Sequence, residues 1–95
     1  MLGFSKKYFN SAVAVYAGDT MIVAFVLLST VPGKEEPISE TLKKEDIVQE
    51  CHLVYGEYDI HLTVHTEDLQ ALDEFIHEIR LLKGIGHTMT LIALQ

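Results

Sequence analysis

Residues 21–30 are apolar and rich in β-branched side chains at odd and even positions alike, which predicts a central strand covered on both faces. Pro32-Gly33 ends it, and a helix follows to about residue 44. Pro37 then falls in the first helical turn, where a missing N–H costs little. Ile38 and Leu42, four apart, supply that helix's buried stripe. Residues 47–55 and 58–64 predict two further strands joined by Gly56-Glu57, and a two-residue connection with glycine first suits a type II′ hairpin turn. Such a turn sets Tyr55 against Tyr58, Val54 against Asp59, His52 against His61 and Glu50 against Thr63. Side chains alternate along a strand, so Cys51, Leu53, Ile60, Leu62 and Val64 share the face expected under the helices. The other face carries Val48, Glu50, His52, Val54, Asp59, His61, Thr63 and His65 and is half polar.

Thr66 is positioned to cap the next helix, with Glu67 and Asp68 in its first turn complementing the dipole. Leu69, Leu72, Ile76, Ile79 and Leu82 form its amphipathic stripe, and Arg80, Lys83 and Gly84 mark its end. Residues 88–94 predict the last strand. Strand, helix, strand, strand, helix, strand is the ferredoxin-like βαββαβ order of an α+β fold, a four-stranded antiparallel sheet with its first and third strands central. Two helices cover only one face of such a sheet. The first strand is apolar on both sides, so a second copy packed sheet to sheet in a twofold dimer is the expected cover.

Residues 1–20 lack this regularity and are expected to be an N-terminal arm, with a short extra strand over 11–17, ahead of the domain at 21–95. Lys6 and Lys7 ahead of an apolar stretch loosely imitate a signal sequence, but Asn10 and Ser11 interrupt it. No apolar run reaches the ~18–20 residues of a membrane span. One cysteine, Cys51, allows no internal disulfide and fits a reducing cytoplasm.

The chain's 95 residues make one domain, which buries roughly 64% of its unfolded surface on folding. Hydrophobic residues at 48% exclude a disordered chain. Seven basic and fourteen acidic residues give a net charge of −7, without the clustered Lys and Arg of a duplex-binding surface, so direct contact with nucleic acid is not expected.

Ala24-Phe25-Val26-Leu27-Leu28, then Pro32-Gly33-Lys34-Glu35, then the stretch from Val54 through Gly56 and Asp59 to Ile60 together resemble the effector-binding (RAM) domain of the Lrp/AsnC family. These are the leucine-responsive and asparagine-related transcription regulators. The closing run from Gly84 through Thr88 and Thr90 resembles that domain's final glycine, paired threonines and last strand. Full-length members carry an N-terminal helix-turn-helix, for which 20 residues are too few, so the chain looks like a stand-alone version, a kind found mainly in archaea and bacteria. The resemblance implies dimers through the sheet and rings of dimers, from tetramer to decamer. It also implies a small effector, usually an amino acid, bound between neighbouring dimers, and partnership with full-length Lrp/AsnC regulators. No cofactor is implied.

An amino acid needs an anionic group for its ammonium and N–H donors for its carboxylate. Asp59 supplies the first, and the amides of Gly56 and Glu57 the second. Tyr58 belongs to the same hairpin, and the hydroxyls of Thr88 and Thr90, on one face of the last strand, complete the candidate site. In the family the corresponding hairpin and threonine positions line the effector site. The plainer reading makes Gly56 a turn residue, the threonines ordinary strand residues, and Tyr55 and Tyr58 a stabilising cross-strand pair. His52 and His61, with Glu50 nearby, have the residue types of a zinc site, but no supporting ligand motif accompanies them and no metal is expected. They point instead to a pH-sensitive interface. Cys51 faces the core, where a thiol is inert, and no nucleophile or phosphate-loop motif supports catalysis. Two other readings compete with the sensor: a small dimeric α+β-barrel enzyme of the cofactor-free monooxygenase or isomerase type, and an assembly module that takes no ligand.

Overall fold

The computed structural model describes residues 21–93. The predicted arm at 1–20, with its short strand, lies outside them. In chain order the elements are β1 (Ile22–Thr30), α1 (Glu35–Leu42), β2 (Val48–Leu53), β3 (Ile60–Thr66), α2 (Leu69–Arg80) and β4 (Ile85–Ile92). The strands form one antiparallel sheet in the order β2-β3-β1-β4. This is the ferredoxin-like α+β fold, with β1 and β3 central as the pattern predicts.

Alternation along the central strands sorts the sheet's two faces. Ala24, Val26 and Leu28 of β1 and Ile60, Leu62 and Val64 of β3 are fully buried beneath Ile38 and Leu42 of α1 and Leu72, Phe75, Ile76 and Ile79 of α2. Val23, Phe25 and Leu27 point to the opposite face and are half-buried. Opposite residues in a ladder share a face. Pairing of Phe25 with Leu91 and of Leu27 with Met89 therefore continues that second face onto β4, where Met89 and Leu91 are exposed. Among the described residues both helices lie on the first face only.

Local details depart from the sequence pattern for identifiable reasons. Asp68, not Thr66, caps α2, its carboxylate accepting from the Ala71 amide at 2.8 Å. Thr66 is buried and its hydroxyl donates to the Asp68 carbonyl, so the strand runs two residues further than expected. β4 begins at Ile85 rather than Thr88, because the predicted turn glycine, Gly84, accepts from the Val31 amide at 2.8 Å and brings the chain straight into the sheet. A bulge between Val48 and Glu50 sets Val48 opposite Val64 and moves it to the helix-covered face, not the polar one. Leu53 lies on an edge strand beyond the helices and is exposed.

The hairpin also differs. Pairing of His52 with His61 and of Glu50 with Thr63 is as predicted, but the ladder stops at Leu53–Ile60. Val54 N–H donates to the Asp59 carbonyl, whereas the Asp59 amide turns to Leu28 of β1. With that rung half-made the loop opens over Tyr55 to Tyr58. Gly56 takes φ +136°, well beyond the ~+60° of a type II′ turn, and Tyr55 is fully exposed, so the predicted Tyr55–Tyr58 rung does not form.

Candidate functional site

Two groups of residues carry the predicted ligand chemistry, and the fold places them apart. The first is the β2–β3 hairpin. Gly56 and Glu57 are exposed at its tip, and among the described residues their amides donate to no protein group. A side chain at Gly56 would meet nothing within 4 Å, so glycine is needed there for its positive φ and not for space. Tyr58 and Asp59 are half-buried where the hairpin rejoins the sheet.

Asp59 is not an idle carboxylate. Its Oδ2 accepts the Thr30 amide at 2.8 Å and stands 3.4 Å from the Thr30 hydroxyl. Thr30 ends β1, and the sheet there is irregular: the β1–β4 register shifts between Leu28 and Thr30. Next to it the Ser29 hydroxyl accepts the His87 amide at 2.6 Å. Asp59 thus ties the hairpin to the end of the central strand and keeps its second oxygen for another donor.

The second group is on β4. Thr90 pairs with Val26 and Thr88 with Leu28, so both hydroxyls lie on the helix side of the sheet. Leu28 also pairs with Ile60. Thr88 is therefore level with the hairpin's root but two strands away, about 10 Å. Within one protomer the hairpin group and the threonines do not close on a common pocket. Each is an open half-site at one edge of the sheet.

The sequence pattern marks Arg80 only as a helix-stop signal. Its Nε donates to the Thr88 hydroxyl at 3.2 Å, which places a guanidinium beside the threonine half-site. Eight residues separate the two, and only the tight α2–β4 connection brings them together, which residue pattern alone does not reveal. A surface depression on α2 is lined by Asp73, Glu74, His77, Glu78 and Arg80, none of them a predicted ligand residue.

Cys51 packs against the core with its sulfur 3.9 Å from the Ser39 carbonyl. Burial pushes its thiol above the usual range, Lys43 opposes and Glu40 adds, so the reactive thiolate is disfavoured. On the uncovered face the His52 and His61 rings lie 6.5 Å apart and Glu50 Oε1 is 3.9 Å from His52 Nε2. Among the described residues no group of three His, Cys, Asp or Glu side chains is placed to hold a metal ion, and no helix is long and apolar enough to cross a membrane.

Against known proteins, the family model of the Lrp/AsnC ligand binding domain matches residues 23–95. The transcriptional regulator FL11 of Pyrococcus furiosus is 27% identical over 89 residues, covering 94% of this chain and 59% of that protein. The leucine-responsive regulatory protein of Escherichia coli K12 is 28% identical over 81 residues, covering 81% of this chain and 49% of that protein. The chain thus spans about half to three-fifths of the length of these regulators. Among solved structures, FFRP-DM1 superposes with a TM-score of 0.75 at 44% identity over 78% of this chain and 100% of that one. A hypothetical protein of Pyrococcus horikoshii gives 0.74 at 43% identity, over 79% and 92%. Escherichia coli AsnC shares the fold, with a TM-score of 0.74 at 22% identity, over 94% of this chain and 63% of that one.

Proposed function

The chain belongs to the family of Lrp/AsnC ligand-binding domains, and from that premise we propose that it is a non-enzymatic sensor that binds an amino acid or similar small effector between copies of itself. It modulates transcription by assembling with itself or with full-length regulators of the same family in the cytoplasm, and it leaves DNA contact to them. The observation that carries this reading is the split site. The hairpin offers Asp59 Oδ1 and the free amides of Gly56 and Glu57 at one edge, the threonine pair sits on β4, and a ligand touching both needs a second molecule.

Assembly begins with the uncovered sheet face, and its occupant is a second copy. Four strands ~4.8 Å apart and about eight residues long project roughly 500 Å² per copy, and more as accessible surface. Two copies then bury ~1,000–1,600 Å², which reaches the size of a stable interface. Covering Met89 and Leu91, 42% and 51% exposed, is a direct gain. A net charge of −7 supports the absence of direct DNA contact.

The experiment is a thermal-shift screen against the amino acids, paired with light scattering. A ligand at a hundred times its Kd stabilises by ~2.7 kcal/mol, which for a domain of this size raises Tm by roughly 10–20 °C. If no amino acid moves Tm and the protein scatters as a monomer, the sensor reading is wrong. An assembled protein that no ligand stabilises supports the second reading, a plain assembly module. That reading is favoured by the Thr30 amide, which already gives the Asp59 carboxylate a purely structural partner.

A further inference from the structure

The sheet face left open by the helices carries three of the chain's five histidines. His61 is central: it pairs with His52 on β2 and with Leu27 on β1, and its ring stacks on Phe25 with centroids 5.9 Å apart and planes 28° from parallel. The His52 ring is 6.5 Å away. His65, opposite Val23, has the same alternation and shares the face.

The charges facing this cluster are few. From β2 comes Glu50, 3.9 Å from His52 and also accepting from the Thr63 hydroxyl at 3.3 Å. From β3 comes Asp59, at the strand's end and engaged by Thr30. β1 presents Val23, Phe25 and Leu27, with the Ser29 hydroxyl at the bulge accepting from the His87 amide, and β4 presents Met89 and Leu91, with His87 exposed beyond them. The described lysines and arginines lie on or beside the helices and not on this face.

We infer that this histidine face makes the sheet-to-sheet contact pH-sensitive, the dimer holding while the imidazoles are neutral and opening as they take up protons. The inference rests on the dimer proposed above. Twofold pairing brings six imidazoles into one interface against two nearby Glu50 carboxylates. Covering the face strips water from any imidazolium, and a charge on both His52 and His61 adds repulsion between neighbours. The separated protomers therefore bind more protons than the dimer does. By linkage, affinity is constant well above the ordinary imidazole range near pH 6.5 and falls as pH drops through and below it. Each proton that the dimer excludes weakens association by ~30-fold at pH 5, and one per copy gives roughly a thousandfold.

Sedimentation equilibrium of the full chain at pH 7.5 and pH 5.0, at equal ionic strength, measures this. The wild type is expected to raise its monomer–dimer Kd by ~30-fold to a thousandfold, and H52Q/H61Q, which keeps His65, by at least about tenfold less than the wild type. Should the double variant fail to fold, H52Q alone reads the same quantity with a smaller reduction, since the His52 side chain is 62% exposed and carries no core packing. A wild-type dimer equally tight at both pH values overturns the inference and leaves the dimer standing. A monomer at pH 7.5 overturns the dimer itself. Equal acid weakening of wild type and variant, or loss of the far-UV circular dichroism signal in step with mass at pH 5.0, also overturns the inference.

Discussion

Replacing Asp59 separates its two roles. Four hydrogen bonds tie this residue into the sheet: its amide to Leu28, its carbonyl from Val54, and its carboxylate from the Thr30 amide at 2.8 Å and, more weakly, the Thr30 hydroxyl at 3.4 Å. Only the two to the carboxylate depend on the side chain. Hydrogen bonds to charged groups contribute ~1.5–3 kcal/mol, and water competes for this half-exposed carboxylate, so Asp59→Ala should cost about 1–2 kcal/mol. Asp59→Asn keeps an acceptor for Thr30 and loses only the charge, which costs about 0.5–1 kcal/mol. At roughly 4–8 °C per kcal/mol for a domain of this size, Tm falls by ~4–16 °C for Ala and ~2–8 °C for Asn. Both leave a folded protein, given a total stability of ~5–14 kcal/mol. An ammonium ligand distinguishes differently, because Asn offers it no charge. Melting curves with and without the amino acid that stabilises the wild type should therefore show graded losses in the free protein but an equal loss of ligand shift in both variants. Full ligand response in Asp59→Asn would falsify the contact, and an Asp59→Ala protein melting with the wild type would show that the Thr30 bond carries nothing.

Other perturbations test other parts of the molecule. Leu91→Asp places a charge on a side chain already 51% exposed, so the fold survives, but a sheet dimer would bury two unpaired carboxylates; light scattering should report a monomer, and an intact dimer would move the contact to another surface. Asp68→Ala removes the α2 cap and should cost about 1 kcal/mol, or ~4–8 °C; an unchanged melt would mean that the Ala71 bond is idle. A Cβ at Gly86 would lie 2.7 Å from the Ser29 hydroxyl that accepts from His87, so Gly86→Ala should destabilise, and adding Ser29→Ala should recover part of the loss; strictly additive effects would contradict the clash. Iodoacetamide should modify Cys51 more slowly than a free thiol at pH 7.5, with the rate still climbing where a free thiol's has levelled off, because burial holds its thiol up; labelling at the rate of a free thiol would refute this.

Much of the fold was legible because its elements announce themselves by period. β1 reads as a two-sided strand, α2 shows a helical stripe, and the His52–His61 register follows from alternation once a short hairpin is assumed. What pattern missed belongs to tertiary pairing. The Asp59 amide is drawn to Leu28 and its carboxylate to Thr30, contacts 29 or more residues apart in sequence that convert a tight turn into a wider loop. The bulge that moves Val48 to the core adds one residue to β2, and no local signal in Val48 to Glu50 marks it. Phe75 is missing from the predicted stripe yet buried, three residues from Leu72 and four from Ile79 on the same arc, while Leu69 is in the stripe yet exposed, as the first residue of α2.

The candidate site shows the same limit more sharply. Each half was readable: glycine and aspartate in a hairpin, threonines alternating on a strand. Their relation was not, because it depends on which face β4 presents. Pairing of Thr88 with the buried Leu28 puts both threonines on the helix side, while His61, two residues beyond Asp59, points to the opposite side. Had the threonines fallen on the same face as the histidines, a sheet dimer would have covered them and excluded a ligand. Their placement on the helix side keeps the threonines outside the proposed sheet contact, whereas Asp59, two residues before His61, stands at the edge of the histidine face. On the proposed reading the threonine half-site therefore stays open to a ligand when two sheets pair, while the Asp59 half-site borders the contact.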